Sequence, residues 1–223
     1  MHLGSVRDLL IRKKQNLPWK LRVKIAKEAA KGMDYLHSKK LIHRDLKTDN
    51  LLVNSEWICK VADFGISTVR PTITRQMTCV GTPVYMAPEV LSRNKYSEKA
   101  DVFSFGILLW ELFTGQRPYD SKEYRSMNQA QLMHHIVDLQ ARPSLEGLNA
   151  ALQQLIQDCW NLDARLRPSF SELVIRLRRL KVPQSSIHVS EQESSNEFPS
   201  EDNDALPYDA TPKTLSDRNT SIN

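Results

Sequence analysis

The sequence predicts a mainly α-helical fold with a small β-hairpin region, and three stretches carry that expectation. Across residues 18–36 the apolar side chains Leu21, Ile25, Ala29, Met33 and Leu36 recur on one helical face, with Lys and Glu opposite. Residues 97–112 are apolar nearly all round, the pattern of a helix buried on every side. Between them, residues 51–53 and 57–62 read as two strands joined through Asn54-Ser55-Glu56.

Taken in order, the chain opens with Gly4-Ser5 and then VRDLLIRKK, where Ser5 and Asp8 have capping-box spacing, so a short helix is expected there. Pro18 opens the longer helix, which delivers the chain to a short strand at Leu41 and Ile42. Residues 66–86, rich in Thr, Arg and Pro, show neither a strong helical nor a strand period. The apolar helix should end near Gly115, a residue suited to a C-cap. Three further helices are expected over about 124–137, 148–160 and 169–180, the last starting at a Ser169/Glu172 capping box. His134 and His135 are adjacent on the first of these and so point to different faces, which does not favour a metal site. From Pro183 onward Ser, Glu, Asp and Asn dominate, and disorder is expected.

A chain of 223 residues can bury one sizeable core. Its net charge of +5 hides a division: residues 1–181 hold 29 basic and 18 acidic side chains, residues 182–223 only 2 and 8. Lys and Arg are spread along the basic part without a zinc-finger, homeodomain or RNP-type pattern, which argues against nucleic acid and for a solvated surface that tolerates anionic substrates. Cys59, Cys79 and Cys159 are odd in number and far apart, as free thiols in a reducing compartment would be. No signal segment stands at the start, and the apolar run at 102–113 is too short to span a bilayer. A soluble, cytoplasmic protein is expected, in which the sequon at Asn219 is a chance match.

The stretch that organises the chemistry is IHRDLKTDNLLVNSEWICKVADFG at residues 42–65, which sets Asp45, Lys47, Asn50 and Asp63 at the ends of expected strands. Moving a phosphoryl group needs a carboxylate to orient a hydroxyl, a cation for the phosphate and oxygen ligands for Mg²⁺. HRDLKTDN, then DFG thirteen residues after Asn50, then APE at Ala87-Pro88-Glu89, resembles the catalytic and activation loops of eukaryotic protein kinases. The resemblance implies that Asp45 accepts or orients the substrate hydroxyl proton and that Lys47 neutralises charge on the transferred group. It also implies Asn50 and Asp63 as Mg²⁺ ligands, ATP as the phosphoryl donor, and a floor of the adenine slot around Leu52. Arg44 is the position that pairs with a phosphorylated activation loop, for which Thr72, Thr74 and Thr78 are candidate sites. By the same analogy Asp101 holds the His-Arg-Asp backbone from below, His43 stacks under Phe64, and Arg167 pairs with Glu89.

Lys47 together with GTPVYMAPE at 81–89 is similar to the serine/threonine pattern, with Thr82 close to Asp45, so protein serine and threonine hydroxyls are the expected acceptors. Cys159-Trp160, RPSF after Arg167 and QRPY at 116–119 resemble the tyrosine-kinase-like branch. The resemblance covers residues 1–181 as the large, C-terminal lobe only; residues 182–223 form a separate acidic tail. None of the seven glycines can form G-x-G-x-x-G, and no strand carries a V-A-I-K lysine, since Ala26-Lys27 lies inside a helix. The small lobe is therefore expected to be absent, and MHLGSVRDLL resembles the segment that follows the hinge between lobes, which makes Met1 an internal methionine of a longer product. Two function classes follow. Either the chain is a serine/threonine kinase whose small lobe, or a regulatory protein in its stead, is supplied from outside it, or it is a kinase-derived binding module without turnover. The first is the reading adopted, with the isolated chain inactive or nearly so.

Overall fold

The computed structural model describes residues 3–63, 68–69 and 82–182. In chain order these form β1 (Gly4–Ser5), a π-helical turn (Asp8–Arg12), α1 (Trp19–Ser38), β2 (Leu41–Ile42), β3 (Leu51–Val53), β4 (Cys59–Val61), β5 (Thr68–Val69), α2 (Pro88–Leu91) and α3 (Lys99–Thr114). They continue with α4 (Lys122–Arg125), α5 (Gln129–Val137), α6 (Ala150–Cys159) and α7 (Phe170–Arg178). The mainly helical expectation holds.

The helix α3 is the hub of the core. Its residues from Ala100 to Phe113 are all buried, and Gly115, at φ 71°, ends it in the left-handed conformation, donating its N–H to Glu111 O at 2.8 Å. On one flank α3 packs against α6 and on another against α1, whose buried face comprises Leu21, Ile25, Ala26, Ala29, Ala30, Met33 and Leu36. Helix α1 also packs against α7 and β4. Asn149 and Ser169 cap α6 and α7, and Ser169 and Glu172 complete the capping box read from the sequence.

The β structure differs from expectation in three places. The second hairpin strand is Cys59–Val61 rather than 57–62, because the turn takes more residues: Asn54 Oδ1 accepts the N–H groups of Glu56 (3.1 Å) and Ile58 (2.8 Å), and Trp57 sits at φ 58°. Residues diverted to a side-chain acceptor cannot extend a ladder. A third strand, β1, joins the hairpin in the antiparallel order β1-β3-β4, pairing Gly4 with Val53 and Ser5 with Leu52. Within the segment that showed no period, Thr68 and Val69 pair with Ile42 and Leu41 as a two-stranded ribbon. Two-residue strands are too short to leave an alternation in sequence.

The helical boundaries differ less. Ser5 and Asp8 bond reciprocally, Asp8 N to Ser5 Oγ at 3.0 Å and Ser5 N to Asp8 Oδ2 at 3.1 Å, but the turn they start runs on as a π-helix. The expected helix over 124–137 is two helices, α4 and α5, because Asn128 forms a capping box with Gln131 and starts a new one. On α5, His134 turns to Asp138 (2.7 Å) and His135 to the ring of Tyr124. Phe64, Gly65, Thr72, Thr74, Thr78, Cys79 and the tail from Pro183 lie outside the described residues.

Candidate active site

The site is built on the turn that follows β2. There Arg44 adopts φ 69°, a conformation that costs a non-glycine residue about 1–2 kcal/mol. What offsets it lies below: Asp101, buried in the first turn of α3, accepts the His43 N–H on Oδ2 and the Arg44 N–H on Oδ1, each at 2.9 Å. His37 at the end of α1 holds Oδ2 from a third side at 2.8 Å. The His43 ring bridges forward, its Nε2 3.0 Å from Ala62 O and its Nδ1 accepting from Asp45 N at 3.3 Å.

Three of the residues singled out in the sequence, Lys47, Asn50 and Thr82, converge on the carboxylate of a fourth, Asp45. Asp45 Oδ2 accepts from Lys47 Nζ at 2.6 Å and from Asn50 Nδ2 at 3.2 Å, while Oδ1 accepts from Thr82 N at 3.1 Å and Thr82 Oγ1 at 3.3 Å. Lys47 Nζ also donates to Thr82 Oγ1 at 2.9 Å, closing the ring of contacts. Asn50 directs its amide nitrogen at Asp45, whose backbone oxygen accepts it at 2.8 Å. The Ala62 N–H donates to Asn50 O at 2.8 Å, which brings the next residue, the exposed Asp63 at φ 63°, to the Asn50 end of the cluster. Leu52 lies in β3 between the buried Leu51 and Val53, so strand alternation sends it to the opposite, partly exposed face.

A second set of polar residues was not singled out from the sequence. Glu111, in the last turn of α3 and 0% exposed, accepts from Thr48 Oγ1 at 2.7 Å and from the Tyr85 hydroxyl. Arg7 reaches the same cluster, with Nη1 3.3 Å from Asp49 Oδ2, 3.3 Å from the Tyr85 oxygen and 3.6 Å from Glu111 Oε1. Burial pushes the Glu111 carboxyl above its ordinary range, and burial with the adjoining carboxylate pushes the Tyr85 phenol up. The network ties Thr48 and Asp49, the two residues between Lys47 and Asn50, to the segment that follows Thr82. A signal existed in the sequence: a glutamate inside a run destined for burial must find donors. Further out, the buried Arg167 grips Glu89 with both terminal nitrogens, at 2.6 and 2.9 Å.

A helical lobe that offers one carboxylate ringed by lysine, asparagine and threonine beside a short hairpin is the arrangement expected of a phosphotransferase lobe. A family model described as protein tyrosine and serine/threonine kinase matches residues 1–177. The probable serine/threonine-protein kinase SIS8 of Arabidopsis thaliana is 38% identical over 203 residues, which are 89% of this chain and 19% of SIS8. Serine/threonine-protein kinase STY17 of the same plant is 39% identical over 181 residues, 81% of this chain and 31% of STY17. The dual specificity protein kinase shkA of Dictyostelium discoideum is 39% identical over 184 residues, 79% of this chain and 34% of shkA. The chain belongs to the protein tyrosine and serine/threonine kinase family. It spans between about a fifth and a third of the length of these relatives.

Proposed function

We propose that residues 1–181 are the hydroxyl-orienting and metal-binding part of a serine/threonine protein kinase acting in signal transduction, with residues 182–223 a separate acidic tail. The reaction is transfer of the γ-phosphoryl group of ATP to serine or threonine hydroxyls of protein substrates. The observation that carries this reading is the convergence of Lys47, Asn50 and Thr82 on Asp45. Asp45 orients the acceptor hydroxyl and takes its proton, and Lys47 Nζ, held between Asp45 and Thr82, neutralises charge on the phosphoryl group in flight. Thr82 fixes the Asp45 carboxylate through its N–H and hydroxyl and so sets the angle at which a hydroxyl is presented. Arg44, whose backbone Asp101 clamps, is the cation offered to a phosphorylated activation loop.

The residues present fit a magnesium nucleotide. Asn50 directs its nitrogen at Asp45 and so leaves its carbonyl oxygen as a ligand, and Asp63 offers an exposed carboxylate at the same end. Two oxygen donors suit Mg²⁺, which takes few protein ligands and completes its shell with phosphate and water. Held by Asn50 and Asp63, a bound Mg²⁺ would supply positive charge to offset the negative charge on the phosphates. Leu52 would form part of the adenine floor. Among the described residues no helix is long and apolar enough to cross a membrane. Cys59 and Cys159 are buried free thiols, which supports a cytoplasmic location.

The test is a chimera that places STY17's own residues ahead of the matched stretch at the start of this chain. It is expected to label protein serine and threonine from radioactive ATP, and Asp45→Asn should reduce transfer at least about a hundredfold. Phosphoamino-acid analysis reads the acceptor class. A folded chimera that binds Mg-ATP and transfers nothing would instead favour a kinase-derived binding module.

A further inference from the structure

A groove of about 890 Å³ lies between the segment after the π-helical turn, the C-terminal end of α3 with the loop beyond it, and residues 142–144. Its walls include Leu10, Ile11 and Pro143, and its volume is that of a site for a few side chains rather than a flat face. Four cations line it: Lys14, Arg22, Arg117 and Arg142. Arg22 donates to the carbonyls of Leu17, Leu112 and Phe113, and Arg142 to those of Ile136 and Ala141, with its guanidinium 4.9 Å from the Phe103 ring centroid. Carbonyls satisfy N–H groups without cancelling charge. Among the described residues none of the four cations has a carboxylate at ion-pair distance.

The single carboxylate lining the groove, Asp120, is already gripped at both oxygens by Arg125, at 3.0 and 2.8 Å. The groove therefore carries an excess of positive charge over an apolar wall. A ligand that matches must bring carboxylates and at least one apolar side chain, which describes an acidic stretch of polypeptide. Single-stranded nucleic acid fits less well, since it needs open aromatic faces on which bases stack. Trp110 and Tyr119 are 6% and 8% exposed, the indole N–H is engaged by Ser144 O at 2.6 Å, and Tyr124, the one half-buried aromatic of the groove, packs edge-on against Tyr119 and His135.

The groove is joined to the catalytic turn through the π-helical turn. Leu10, in that π-helical turn, lines the groove, and Arg7 stands at the turn's start. That same Arg7 touches Asp49, between Lys47 and Asn50. We infer that the groove docks an acidic segment of the protein substrate, apart from the hydroxyl presented to Asp45; this rests on the kinase reading. Lys14 and Arg117, both exposed, supply the adjustable charge, while Arg22 and Arg142 fix the floor.

The test needs no nucleotide and no transfer. A fluorescein-labelled short peptide of Glu and Asp around one Phe is titrated with the full chain and followed by anisotropy. Binding is expected to weaken as ionic strength rises to about 0.15 M. The double variant Lys14→Glu/Arg117→Glu should weaken it by about tenfold or more. The double variant Lys95→Glu/Arg178→Glu, which makes the same charge change at exposed positions outside the groove, should change it little. Equal weakening in both variants, no binding by the wild-type chain, or equal affinity for a single-stranded RNA of matched charge would overturn the docking site. Such a failure leaves transfer by the chimera untouched. Conversely, charge-dependent peptide binding alongside a chimera that folds and transfers nothing would remove the kinase reading alone.

Discussion

Glu111 sits where a carboxylate is costly, inside a helix buried on all sides, and its neighbours explain how it is tolerated. Thr48 and Tyr85 donate to one oxygen while Arg7 lies 3.6 Å from the other. Burial still dominates, so the folded state holds the Glu111 proton more tightly than the unfolded chain does. In the window from the ordinary carboxylate range up to the raised value the folded state binds more protons, and this group's contribution to stability falls as pH rises. Asp163, which hydrogen bonds from Arg165 hold at about 2, acts in the opposite sense and loses its contribution on acidification. Glu111→Gln keeps an acceptor for both hydroxyls and removes the titration; Glu111→Ala leaves Thr48 and Tyr85 only each other, 3.4 Å apart, and so one buried donor unpaired, at a cost of about 1–3 kcal/mol. Urea unfolding across the acid to neutral range should show wild-type stability declining relative to Glu111→Gln as pH rises. Parallel curves for the two proteins would contradict the assignment.

At the scale of elements, the contact of α3 with α6 depends on a missing side chain. A Cβ on Gly106 would lie 2.9 Å from Cys159 Cβ and 3.4 Å from both Ile156 O and Trp160 N, so the two helices approach closely at that point. Neither backbone can yield without moving a helix. Gly106→Ala should therefore destabilise the fold by about 1–3 kcal/mol, measured by denaturant unfolding. Gly115→Ala serves as the contrast: nothing lies within 4 Å, and only the left-handed φ is penalised, by about 1 kcal/mol. An equal effect at the two sites would mean that close packing is not what requires Gly106. Because α3 also carries Asp101 at its start and Glu111 farther along, a shift of this helix would be felt in the catalytic turn.

For the whole molecule, the sequence contains neither a G-x-G-x-x-G loop nor a V-A-I-K lysine. Each preorganised stabiliser of transition-state charge that is lost typically costs about a hundred- to a thousandfold in rate. Phosphotransfer by the 223-residue chain alone is therefore expected to be negligible, in a radiolabel assay with Asp45→Asn as the control for contaminating kinase. Activity that vanishes with that substitution would overturn the expectation. The helical core, the Ser169/Glu172 capping box and the order Asp45, Lys47, Asn50 and Asp63 could be read directly, because helical periodicity and loop chemistry are local. By itself the sequence determined the long helices α1 and α3, the presence of the hairpin and the family motifs. Only the tertiary structure decided the two-residue pairings β1–β3 and β2–β5, the reach of Arg7 to Glu111 across the core, and the charged groove where residues near 14, 117 and 142 meet. The physical reason is distance along the chain: short strands leave no period, and partners tens of residues apart meet only after the helices have packed.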